Sequence, residues 1–213
     1  ERFSQCIKIL IEAGAKFKDK PVLSVLLGDA GDLKKQVKKN PSIVQAKYTL
    51  PHAFTPLEDV TLLHFCAEFN KVACAKVLIE HDADVNAKAA VDDNGLGGQT
   101  PIFHTVNSYN NFAYPMLELL LKNGASLDIH LKGLLWGKAY EWETYIPEVN
   151  PISYAMMGNL PQFQRKVKDI AKNIELMQKF KYSKTYRIQN VPNVYLSGFR
   201  KLKKKDLFRI LDW

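Results

Sequence analysis

Cysteine is scarce in this sequence, with Cys6, Cys66 and Cys74 the only three among 213 residues. An odd number at wide, irregular spacing makes a poor disulfide framework. Buried free thiols in a reducing compartment are the expectation, and with them a cytoplasmic location. Long apolar runs are missing too. No stretch approaches the roughly 18–20 residues needed to cross a bilayer as a helix, so no transmembrane segment is predicted. No secretory pattern opens the chain, but it begins at Glu1 rather than Met, so that absence excludes little. Acidic side chains are absent from one region. Residues 179–205 carry nine Lys or Arg and no Asp or Glu, so this stretch supplies the net charge of +8 and the remainder sums to about −1.

What is present is an ordinary soluble composition, 46% hydrophobic and 24% charged, with internal repetition. Three segments share one pattern: Ile9-Leu10-Ile11-Glu12-Ala13-Gly14-Ala15, Val77-Leu78-Ile79-Glu80-His81-Asp82-Ala83 and Leu119-Leu120-Leu121-Lys122-Asn123-Gly124-Ala125. Each is an apolar helix end, a charged residue, then a turn residue followed by Ala. Gly or Asp at the sixth position suits a left-handed C-cap. A second piece lies upstream of two of them: Thr61-Leu62-Leu63-His64-Phe65-Cys66-Ala67 and Thr100-Pro101-Ile102-Phe103-His104-Thr105-Val106. Pro101 loses nothing in a first helical turn, where its N–H would have no partner. Cys66, Ala67 and Thr105 are small enough for a neighbouring helix to lie close, and Asn70 suits the turn between the two helices.

These pieces resemble the ankyrin repeat. Thr61 to Lys88 looks like one complete unit, and residues 100–129 look like a second, with Phe103 where the family usually has His. His104 stands one position late and does not inherit that role. Phe3 to Phe17 resembles the end of a truncated unit. Residues 21–44 read as a divergent unit opened by Pro21, turning around Gly28 to Asp32 and ending at Asn40-Pro41. Asn150 to Ala155 resembles another opening helix. Leu160 to about Phe180 has Phe163, Val167, Ile170, Ile174 and Met177 on one helical face, as a cap would. The resemblance implies an all-α, ankyrin-type helical-repeat solenoid with long finger loops and a C-terminal capping helix over residues 1–180, followed by a basic extension, 181–213. Within that extension, Tyr186 to Leu196 has β-like character, and Lys204 to Trp213 is patterned for a short amphipathic helix.

Two insertions break the repeat. Ala83 to Ala125 spans 42 residues against the usual 33. Most of the excess falls in the loop Lys88–Gln99, with Asp92, Asp93 and Asn94, and the rest near Tyr109-Asn110-Asn111. Residues 130–149 form a larger insertion holding Trp136, Tyr140, Trp142 and Tyr145. The acidic loop is either a longer finger closed by turn-forming residues or an acidic contact site. The aromatic rings either pack back on the last repeat or serve as interface anchors. Both insertions follow an outer helix, so they should emerge on one side, about one repeat apart.

Other chemistries are set aside. His64, Cys66, Cys74 and His81 spread over two helices and a turn, whereas zinc needs four convergent ligands. Cys66 and His64, two apart on a helix, do not face each other as nucleophile and base would. Gly95-x-Gly97-Gly98 lacks the following Lys-Ser/Thr of a phosphate loop. No enzyme activity, metal or cofactor is therefore expected. The tail, with Arg200, Lys201, Lys203, Lys204 and Lys205, is either a solvated surface or a contact for nucleic acid or another anionic surface. The function expected is a protein-interaction module that binds a protein partner through finger loops and concave helices. The alternatives are a nucleic-acid-associated protein using that tail, or the targeting part of a larger enzyme.

Overall fold

Each of the three repeated turns is made by a residue in left-handed backbone, Gly14 at φ 94°, Asp82 at φ 63° and Gly124 at φ 85°. The computed structural model describes residues 2–50, 55–138, 140, 141, 143–157 and 166–183. Its helices are α1 (Arg2–Glu12), α2 (Lys20–Leu27), α3 (Ala30–Lys39), α4 (Leu62–Glu68), α5 (Val72–Ile79), α6 (Tyr114–Lys122), α7 (Pro151–Met156) and α8 (Val167–Tyr182). Local chemistry sets the ends. Pro21 sits in the first turn of α2, and Gly28, left-handed at φ 77°, closes it by donating its N–H to Ser24 and Val25 carbonyls. Asp29 caps α3 by accepting from the Asp32 N–H at 2.8 Å. Asn70 turns α4 into α5 at φ 50°.

The helices stack in two rows. α2 packs on α4, α4 on a single 3-10 turn (Pro101–His104), and that turn on α7; behind them α3 packs on α5, α5 on α6, and α6 on α8. Val25, Leu26, Leu33, Leu63, Phe65, Leu78, Phe103 and Leu117 fill the space between, all essentially inaccessible to solvent. Each such side chain contributes about 1.5–3 kcal/mol of burial. α8 closes one end by burying Ile170, Ile174 and Met177 against α6 and α7. Side chains also clasp successive units: Gln45 Nε2 donates to the Asp82 carbonyl at 2.7 Å. Asn86 donates to the Gly124 carbonyl at 3.0 Å and accepts from the Ser126 N–H at 2.8 Å. Asp128, the counterpart of Asn86 one unit on, receives Lys181 Nζ.

An all-α solenoid is not what this chain builds. Among the described residues 50% are helical and 13% lie in strands, with two antiparallel two-stranded sheets. β1 (Tyr48–Leu50) pairs with β2 (Leu57–Val60), and β3 (Leu131–Trp136) pairs with β4 (Thr144–Val149). The physical reason lies in the insertion at 130–149. Leu134 faces Ile146 and Leu131 faces Val149, so the pairing itself buries four apolar side chains that a solvated loop would leave wet. The opening helix expected at 100–106 is also reduced, to the 3-10 turn 101–104. Of the proposed apolar stripe, Phe163 lies outside the described residues, as do the strand and helix expected in 186–213.

Candidate interaction surface

The two insertions do lie side by side, and they bond to one another. The loop 88–99 is itself a hairpin, lying between β2 and β3. The Asp92 N–H donates to the Leu96 carbonyl at 2.9 Å, the Gly98 N–H to the Ala90 carbonyl at 2.8 Å, and Val91 bridges Gly97. Its tip is closed by Asp92, whose Oδ1 accepts from the N–H groups of Asn94 and Leu96, both at 2.9 Å. Glycine is obligatory at 97, where φ is +107° and an added Cβ would stand 2.3 Å from the Ala90 oxygen. On one side the Ala90 N–H donates to the Glu58 carbonyl of β2 at 3.0 Å; on the other the Gly97 N–H donates to the Gly133 carbonyl of β3 at 2.9 Å. Lys132 Nζ adds a bond to the Asn94 carbonyl at 2.7 Å. The three hairpins thus form one layer.

The layer sorts the residues named from sequence. Asp92 is half-buried and spent on its turn, while Asp93 and Asn94 are exposed. Trp136 is half-buried against the core, and Tyr140 is exposed. Tyr145 is 53% exposed, yet its ring lies across Gly133, where an added Cβ would meet it at 2.6 Å. Trp142 lies outside the described residues. Sequence reasoning missed Glu58, Gln99 and Lys138. Lys138 Nζ spans to both Glu58 oxygens, at 3.0 and 2.9 Å. These three residues, with Leu96, Leu134 and Leu135, line a cleft of about 260 Å³ between the hairpins. No sequence signal joins Glu58 to Lys138, which are 80 positions apart.

Comparison with family models adds one assignment: residues 58–90 match the ankyrin repeat. That segment is similar to an ankyrin repeat. No curated protein matches the chain. The matched stretch runs from Glu58 to Ala90, so it begins and ends on the two residues whose backbones join the first pair of hairpins. Residues 100–129, expected as a second unit, lie beyond the match. Ankyrin repeats are protein–protein interaction motifs, and a binding role follows at that level.

Inside the matched stretch, His64 is fully buried and holds two segments together. Its Nδ1 accepts from the Thr61 N–H at 3.2 Å, which places the proton on Nε2, 3.1 Å from the Gln99 carbonyl. Burial, helped by the His104 ring beside it, holds its pKa well below the usual 6.5. Burial likewise drives the Cys66 thiol far up and the Cys74 thiol to about 11. Both are buried and free, but Cys6, expected to be buried, is exposed on α1. Its helix packs chiefly on α2, and Cys6 lies on its exposed side. No group of three or more metal-ligating side chains occurs among the described residues. His104 and Glu68, which the sequence did not pair, meet at 2.8 Å across adjacent units. Arg200, Lys201, Lys203, Lys204 and Lys205 lie outside the described residues.

Proposed function

We propose that the hairpin layer is the face on which this chain binds a protein partner. Support comes chiefly from the direct bonding of the three hairpins, which sets an exposed polar tip beside an exposed, pre-oriented ring. Asp93 and Asn94 supply a polar margin, and Tyr145 supplies an anchor whose inner face is already packed on Gly133. A ring held in place before binding loses little rotamer freedom on docking, which is why Tyr is enriched among residues that dominate interfaces. Tyr140 lies on the same hairpin and widens the apolar part of the face.

The test places a photo-reactive phenylalanine analogue at Tyr145 in cells, with Lys35 on α3 as the control position. A partner cross-linked from 145 and not from 35 is expected. Purified, that partner should bind Tyr145→Ala about 30-fold more weakly, equivalent to about 2 kcal/mol. Equal cross-linking from both positions, or unchanged affinity for Tyr145→Ala and for a chain lacking 132–146, would rule out this face.

A further inference from the structure

Gln99, in the wall of the cleft between the hairpins, has a buried acceptor with nothing to accept. The residue is 1% exposed. Its Nε2 donates to the Pro56 carbonyl at 2.6 Å. That bond fixes the amide orientation, since two oxygens at this distance would repel. Oε1 is therefore the other end, and it has no hydrogen-bond partner among the described residues. A buried acceptor left unpaired is unfavourable, and a native structure that keeps one invites an explanation. The charges nearby point the same way. Glu58 and Asp92 line the cleft with two carboxylates, against Lys138 as the one cation in the lining. The Glu58–Lys138 pair is half-exposed on both sides, so it can rearrange without burying a lone charge. The remaining wall is apolar, made by Leu96, Leu134 and Leu135.

We infer that this cleft receives an arginine side chain projected by the protein partner. The occupant must combine an apolar stem with a head rich in donors and positive charge. Arginine does so: its methylenes lie along the leucines while its guanidinium stays polar. That planar group carries five donors, enough to serve Gln99 Oε1 and to share the Glu58 carboxylate with Lys138. An acidic side chain would add a third negative charge, and a purely apolar one would leave Oε1 unpaired. The inference rests on the hairpin layer being the binding face and names the chemistry recognised there.

N-acetyl-arginine amide, titrated into the isotope-labelled full chain, is the direct probe, with N-acetyl-citrulline amide as its neutral isostere. NMR should show saturable shifts of the Leu134 and Leu135 methyls and the Gln99 side-chain amide, with a Kd of about 1 mM. Citrulline should bind at least about tenfold more weakly. Glu58→Gln should weaken the arginine probe by a similar factor while leaving the melting midpoint in place, because Glu58 is half-exposed. Shifts that do not saturate by about ten times that concentration, equal binding of citrulline, or shifts clustered away from the cleft would overturn the inference. A failed probe with Tyr145 cross-linking intact removes the arginine site alone. A bound probe with no cross-linking from Tyr145 removes the wider binding face and leaves the arginine site standing.

Discussion

Replacing His64 by Phe separates what this buried ring does for structure from what it does with protons. The matching position one unit on is Phe103, 0% exposed, so a phenyl ring fits the same kind of site. At pH 7.5 the variant loses the acceptor for the Thr61 N–H. The Gln99 carbonyl keeps its bond from the Ala89 N–H at 3.0 Å, so the loss falls on Thr61, whose N–H is stranded and whose buried hydroxyl loses the contact it made with the same Nδ1 at 3.0 Å. The expected destabilisation is about 1–3 kcal/mol. The pH dependence has a definite sign. In the unfolded chain His64 takes up a proton near pH 6.5, whereas the folded chain resists it because its pKa is held well below that value. Stability from the neutral ring is therefore complete above pH 6.5 and lost as pH falls through it. Between pH 7.5 and 5.5 the parent should lose up to about 1.4 kcal/mol through this one group, in a window where carboxylates stay ionised. The variant loses none of it, so the gap between parent and variant should shrink by the same amount. Urea unfolding followed by circular dichroism at both pH values measures this. A gap that stays constant would refute the view that burial holds His64 neutral.

Further outcomes follow from the same geometry. Gly97→Ala should destabilise by at least about 2 kcal/mol, because its Cβ collides with backbone at a left-handed φ, and urea midpoints should show it. Gly95→Ala should cost clearly less, since its Cβ meets the flexible end of Lys132. Asn86→Ala breaks a two-sided clasp and should destabilise by about 1–3 kcal/mol in the same assay. Ellman's reagent at pH 8 should react with one thiol per native chain, Cys6, and with all three after denaturation.

The helical part of the fold was legible where a left-handed turn residue closes an apolar helix end. Gly14, Asp82, Gly124, Asn70 and the Pro21–Asn40 unit all do what the sequence implies. The strands were less visible. In Leu131-Lys132-Gly133-Leu134-Leu135-Trp136 the alternation is blurred, because Leu134 and Leu135 are adjacent and both find apolar surroundings, one in the core and one in the cleft. The four aromatic residues drew the eye to this hairpin while concealing that it is a hairpin. The turn-closing role of Asp92 was not legible, because a carboxylate bonded to two backbone N–H groups reads, in sequence, like one left open. Glu58, Gln99 and Lys138 carry no local signature at all, since only the side-by-side placement of three hairpins brings them together.

That placement has a consequence for how such a chain can change over generations. The Gly97 N–H and Gly133 carbonyl complete one another, as do Lys132 and the Asn94 carbonyl. Shortening the 88–99 loop to ordinary length would strip the long hairpin of its brace, and deleting the hairpin would strand the loop. The two insertions therefore form a single heritable unit despite the 41 residues separating Asp92 from Gly133. Descendants of this chain should keep both or lose both, and a chimera carrying either one alone should be less stable than a chain carrying neither.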